Sequence, residues 1–219
     1  MLDDLGRRWA LDMGGDEYNM PGYFGKQRWT YYRLRTEGHN TITLDGENNQ
    51  DVKAKAPIVL FDDTPGSPCA VADLTEAYRP KAEKVLRGIA LLDGKRVCVE
   101  DEIDAREAVD VTWHFHTDAK VDADGASATL SQPAQGKLAA ASMMARILSP
   151  AGAHFEVIDA SPAPPQRPAP KTKDLMIHLP EKVKSVRIVV VISPAGAEAK
   201  DPVVRPLDEW TKVTSGTGK

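Results

Sequence analysis

Residues Trp29 to Asn40, WTYYRLRTEGHN, concentrate the side chains a protein uses to hold a sugar bearing a carboxylate. An extended strand turns successive side chains to opposite faces. On that reading Trp29, Tyr31, Arg33 and Arg35 share one face, and Tyr32 and Leu34 take the other. Aromatic rings offer flat apolar surfaces, and planar guanidinium forks pair with carboxylates. These four are therefore the candidate substrate-binding residues, with Glu37 and His39 continuing on the same side. An exposed strand whose arginines are simply solvated fits the same pattern.

His114 and His116 stand two apart in VTWHFHT. A strand aims both away from the face of Val111, Trp113 and Phe115, with their Cα atoms roughly 6.5–7 Å apart. Such a pair can reach a common ligand or decorate a polar surface beside Asp118. His39 and Asp73 lie on two other predicted strands. With one of the paired histidines they make a chemically adequate zinc set of two imidazoles and one carboxylate, leaving a fourth position for water or substrate. Spacing alone does not show that the three converge. The chain has no P-loop, dinucleotide fingerprint, nucleophile elbow, HExxH helix or EF-hand loop. Asp101 and Glu102 face opposite ways on a strand and read as a hairpin rim, not a glycosidase pair. His154 and His178, each among apolar neighbours, read as satisfied structural histidines.

The elements that must position these groups are strands. Short apolar or alternating runs occur at 56–61, 69–78, 84–92, 95–102, 109–117, 126–131, 154–159, 175–179 and 186–192. Asp93-Gly94 between two of them is a type I′ hairpin signal. The segment KLAAASMMARIL, 137–148, is rich in helix formers, but its place between strands and before Ser149-Pro150 predicts another strand. About ten strands with turn residues between them predict an all-β fold, a large antiparallel β-sandwich of the supersandwich type. Residues 161–170, SPAPPQRPAP, are half proline and predict an extended surface loop within one domain spanning 1–219. TSGTGK, 214–219, reads as a disordered tail.

A chain of 219 residues buries roughly 70–75% of its unfolded surface, enough for a core without staples. The net charge of −4 gives no general attraction to nucleic acid or to an anionic membrane. Lys26, Arg28, Arg33 and Arg35 instead form a local basic strip suited to an anionic ligand. Cys69 and Cys98 are the only cysteines and read as small buried residues. No apolar run approaches the length that spans a bilayer, and MLDDLGRRWALDMGG lacks the apolar stretch of a signal peptide.

Five blocks in order, RRWALDMGGDEYNMPGYF, RWTYYRLRTEGHNTITLDG, VADLTEAY, RGIALLDGKRVCVEDEI and VTWHFHTDA, resemble the C-terminal β-sandwich of heparinase II/III-type polysaccharide lyases. The resemblance covers most of residues 6–194. It implies β-elimination on uronate-containing glycans, heparan-sulfate-like or alginate-like. It also implies a preceding α/α toroid that carries the main acid and base, and a periplasmic or secreted setting. The sandwich of several relatives holds zinc, which the resemblance assigns here to His39, Asp73 and His116. Glu37 stands where several relatives have a substrate-facing histidine, and a carboxylate there repels a uronate. Arg33 and Arg35 then neutralise the substrate, or His39 faces it as a catalytic group instead of a metal ligand, or this branch works on a different sugar. The competing expectation is a non-catalytic sandwich that binds carbohydrate or packs against a partner domain.

Overall fold

The computed structural model describes residues 1–46, 50–197 and 200–213, so the predicted tail at 214–219 lies outside the described residues. Strands dominate, as the alternating runs require. In chain order they are β1 (Leu2–Asp4), β2 (Arg7–Ala10), β3 (Ile42–Leu44), β4 (Ile58–Asp62), β5 (Cys69–Asp73), β6 (Ala82–Leu92) and β7 (Arg96–Val109). There follow β8 (Val111–Thr117), β9 (Lys120–Asp124), β10 (Ser127–Gln132), β11 (Ala141–Ser149), β12 (His154–Asp159), β13 (Lys173–His178) and β14 (Val183–Pro194). An eight-stranded antiparallel sheet, β4-β5-β6-β7-β14-β11-β10-β9, faces a four-stranded one, β12-β13-β8-β3. The β1-β2 hairpin stands apart.

Period-two alternation sorts the side chains. Along β14, Ile188, Val190 and Ile192 enter the core between the sheets, together with Ile42, Trp113, Leu175 and Ile177. Val189 and Val191 turn to the outer face of the eight-stranded sheet, where they meet Cys69, Ala90 and Cys98. Burying each such side chain contributes about 1.5–3 kcal/mol, which makes the inter-sheet layer the main source of stability. Asp93 and Gly94 both take positive φ between β6 and β7, as a type I′ hairpin demands. The segment 137–148 does supply a strand, because β11 is needed to bridge β10 and β14. Residues 161–170 form a loop.

Two local expectations fail. Asp101 and Glu102 are no hairpin rim, because β7 runs on to Val109 and carries both into the sheet interior. Asp101 is fully buried and takes a bidentate ion pair from Arg87 of β6, at 2.7 and 2.8 Å. His154 and His178 are not set among apolar neighbours. They are half-exposed and lie 3.3 Å from Glu156 and Asp110 respectively.

Candidate functional site

The segment from Trp29 to Asn40 is not a strand. It folds as three consecutive 3-10 turns, Lys26–Thr30, Tyr32–Leu34 and Thr36–Gly38. Their backbone N–H groups bond three residues back, as from Leu34 to Tyr31 and from His39 to Thr36. The winding is tight enough that a Cβ on Gly38 would stand 2.1 Å from the Tyr32 carbonyl oxygen. At three residues per turn the two-faced alternation is lost. Tyr31 and Arg33 turn inward, to 6% and 4% exposure, while Trp29 stays 40% exposed.

Arg33 is consumed by the fold. Its guanidinium donates to the Met13 and Arg167 carbonyls at 2.6 and 2.9 Å and lies 3.5 Å from the buried Asp16 carboxylate. Tyr31 donates its hydroxyl to the Pro21 carbonyl at 2.5 Å. Arg35 remains partly exposed and pairs with Glu37 at 2.6 Å. The Glu37 charge is thereby taken up locally by the Arg35 guanidinium. The Arg28 guanidinium lies over both the Tyr23 and Trp29 rings, 5.1 and 5.0 Å from their centroids.

The turns deliver two other residues to β8. Tyr32 places its hydroxyl 2.9 Å from Nε2 of His116, a side chain with no exposed surface. His39 places Nδ1 2.8 Å from Oδ2 of Asp12, and both side chains stay open to solvent. Asn40 ties the pairs together. Its Nδ2 donates to the Leu11 carbonyl at 2.8 Å, while its Oδ1 accepts the His116 backbone N–H at 2.6 Å. On the same face of β8, Nδ1 of His114 bonds the buried Asp174 carboxylate of β13 at 2.7 Å, and Nε2 of His114 meets Thr43 at 3.0 Å. His114 and His116 stack with centroids 6.4 Å apart. Both point away from Trp113 and Phe115 as their spacing predicts, yet they are buried there, under the N-terminal segment and the turns.

Burial fixes the protonation states. It lowers the His116 pKa, and the positive fields of His114 and His39 add to the effect against the opposing Asp174 and Asp12. His116 is therefore a neutral imidazole near neutral pH. Burial, then the negative charges of Asp174 and Glu37, pushes the Tyr32 phenol well above its ordinary value. It stays a phenol. Burial also favours the neutral acid at Asp12, but the His39 hydrogen bond, the Gly14 N–H and the nearby imidazoles outweigh it and hold the carboxyl below its usual range. The arrangement combines an imidazole backed by a carboxylate with a phenol backed by an imidazole, the chemical equipment of general acid–base catalysis.

The zinc set implied by the resemblance is not assembled. His39 is bonded to Asp12, His116 to Tyr32, and Asp73 accepts the Thr75 backbone N–H at 2.9 Å. Among the described residues no three His, Cys, Asp or Glu side chains gather so as to hold a metal ion. His39, Asp73 and His116 as arranged do not fit a zinc site, and no step below runs through one. Asp12, Tyr32 and Asn40 carry no spacing signal that marks them in the sequence. Only the fold brings them to His39 and His116.

A family model described as heparinase II/III-like, C-terminal, matches residues 2–192. The chain belongs to that family. The heparinase II/III-like sandwich also resembles solved structures. A heparinase III gene product superposes with a TM-score of 0.64 at 18% identity, over 87% of this chain and 28% of that one. A mutant of the heparan sulfate lyase HepC from Pedobacter heparinus gives 0.67 at 15% identity, over 93% and 32%. Another heparinase III gives 0.65 at 16%, over 86% and 28%. At such identities the likeness shows a shared fold. The heparinase II/III-like sandwich spans about a third or less of those chains. No curated protein sequence matches it.

Proposed function

We propose that this sandwich forms one wall of the cleft of a polysaccharide lyase that cleaves a uronate-containing glycan by β-elimination. The observation that carries the proposal is the geometry of two hydrogen-bonded pairs, Asp12–His39 at 2.8 Å and Tyr32–His116 at 2.9 Å, which Asn40 ties together through Leu11 and His116. Elimination needs a base for the C5 proton, an acid for the O4 leaving group and positive charge toward the carboxylate. His39, oriented through Nδ1 by Asp12, takes the C5 proton on Nε2, and the C5–H electrons form the C4–C5 double bond as the C4–O4 bond breaks. Tyr32, oriented by the acceptor Nε2 of His116, whose Nδ1–H faces the Asn40 amide oxygen, donates its proton to O4. The proton on His39 then returns to Tyr32 through solvent.

Arg35 and Trp29 are the exposed groups positioned to meet the sugar, with Arg28 held against the Trp29 ring. Arg33 and Tyr31 support the turns from inside. A preceding toroid and an anionic polysaccharide substrate belong to the same reading, supported by the family match and by the larger size of the solved relatives. The acid and base that the resemblance expects on the toroid are placed here on the sandwich instead, and an exported setting rests on the resemblance alone. Zinc does not belong to it.

The test is ultraviolet absorbance of the unsaturated uronate product, with heparan sulfate and alginate oligosaccharides as substrates, in wild-type protein and in Tyr32→Phe and His39→Gln variants. Wild-type product with large losses in both variants is the expected result. Oligosaccharide binding without product in any form would overturn the lyase reading and leave a non-catalytic carbohydrate-binding module.

A further inference from the structure

The outer face of the eight-stranded sheet carries a second, separate site. Residues 202–210 run across this face and are anchored where Leu207 and Trp210 press onto Gly88 of β6. A Cβ at Gly88 would stand 2.3 Å from Leu207 and 2.8 Å from Trp210, so only glycine admits the contact. The Leu207 N–H donates to Glu102 at 3.0 Å and fixes the same turn. Beside this anchor the segment does not close down on the sheet. A cavity of about 240 Å³ remains, walled mainly by Cys69, Ala90, Cys98, Val189, Val204 and Trp210.

One polar group among these walls stands out. Glu100 of β7 lines the cavity with 2% of its surface exposed, and its Oε1 has no aligned hydrogen bond. Trp210 bonds the carboxyl from the covering segment, and Arg187 of β14 approaches Oε1 at 3.1 Å as an ion pair that is shared with Glu102. Glu102 is in turn held by Lys84 at 2.7 Å, and Asp101 lies on the opposite face with Arg87. Burying a carboxylate with an open acceptor position is costly, and a donor from a ligand relieves it. The lining also includes Asp62 and Arg205, two carboxylates to one guanidinium, with Arg187 behind Glu100. Burial pushes the Cys98 thiol up to about 12 and raises Cys69 too, so the thiols act as small apolar walls and not as nucleophiles.

We propose that this cavity binds a small aromatic or branched aliphatic amine, with its apolar body among Cys69, Cys98, Val189 and Trp210 and its ammonium head on Glu100. The size fits. An engineered apolar cavity of about 150 Å³ holds benzene, so the present one takes a benzene-sized body and a head group. The site lies on the far side of the eight-stranded sheet from the His39 and Tyr32 pairs, and it stands whether or not those pairs catalyse elimination.

Titration of the 219-residue chain with benzylamine, followed by heteronuclear NMR and by Trp210 fluorescence, tests the assignment, with toluene as the body lacking a head. Glu100→Gln removes the charge while keeping the shape, and Ala90→Leu fills the cavity. Saturable benzylamine binding is expected. It should weaken about tenfold or more in Glu100→Gln, the loss of one charge-assisted hydrogen bond. Toluene binding should be little changed in that variant, and Ala90→Leu should abolish both. No saturable shift with benzylamine, or equal affinity in wild type and Glu100→Gln, overturns the proposal even if Ala90→Leu fails to fold.

Discussion

The Tyr32 hydroxyl and Nε2 of His116, 84 residues apart in the chain, stand 2.9 Å from each other beneath the turns that cross β8. Among the described residues the hydroxyl is the group hydrogen-bonded to Nε2 of this buried imidazole, with the Asp174 carboxylate farther off at 4.0 Å. Tyr32→Phe leaves Nε2 without a partner, and an unpaired buried polar group costs about 1–3 kcal/mol. Folding should survive, with a lowered unfolding midpoint in urea. Lyase activity should fall about 10²–10⁴-fold, as general-acid losses do. A Tyr32→Phe protein with full activity and lowered stability would make the pair purely structural.

Asp12 acts only through His39. Asp12→Asn keeps the shape and a hydrogen-bonding group but removes the charge that stabilises an imidazolium. The expected outcome is a lower kcat with little change in KM. His39→Gln should lose activity at every pH. If Asp12→Asn raised KM and left kcat alone, Asp12 would belong to substrate binding.

The sheets were legible in the sequence because burial on one face writes alternation into a strand, as in Val109, Val111, Trp113 and Phe115. The hairpin at Asp93-Gly94 was legible because type I′ geometry demands positive φ at both positions. The turn segment was not. WTYYRLRT alternates as a strand does, and the determinant against a strand is tertiary: Arg33 reaches Asp16 and two carbonyls of distant loops, and Gly38 closes on the Tyr32 carbonyl. Composition pointed to the histidines on β8. The partners, Asp174, Tyr32 and Asn40 for these histidines and Asp12 for His39, come from three separate stretches whose convergence has no local signature.

Arg33 and Arg35 lie two apart in sequence and should respond in opposite ways to truncation. Arg33→Ala leaves Asp16 buried and unpaired, which costs about 3–5 kcal/mol for a buried pair broken on one side. Arg35→Ala removes a partly exposed pair with Glu37, worth about 0–1 kcal/mol. Chemical denaturation should separate them cleanly. Oligosaccharide affinity should fall for Arg35→Ala while its stability holds. Equal destabilisation by the two variants would return Arg35 to a structural role.

Glu100 gives the molecule a stability term that falls with rising pH. Burial pushes its carboxyl up to about 7 against an ordinary 4.5, with Arg187 opposing and Glu102 reinforcing. Between those two values the native state holds a proton that the unfolded chain has released, so stability declines as pH rises through the window and levels off above it. At about 1.4 kcal/mol per unit, the difference across the window is roughly 3 kcal/mol. Asp12 and Asp45 are held below the usual carboxylate range, so their contributions run the other way and at lower pH. Subtracting the Glu100→Gln stability curve from the wild-type curve isolates the term. The difference should decline between about pH 4.5 and 7 and be flat on either side, and a flat difference throughout would mean that Glu100 titrates alike in the folded and unfolded protein.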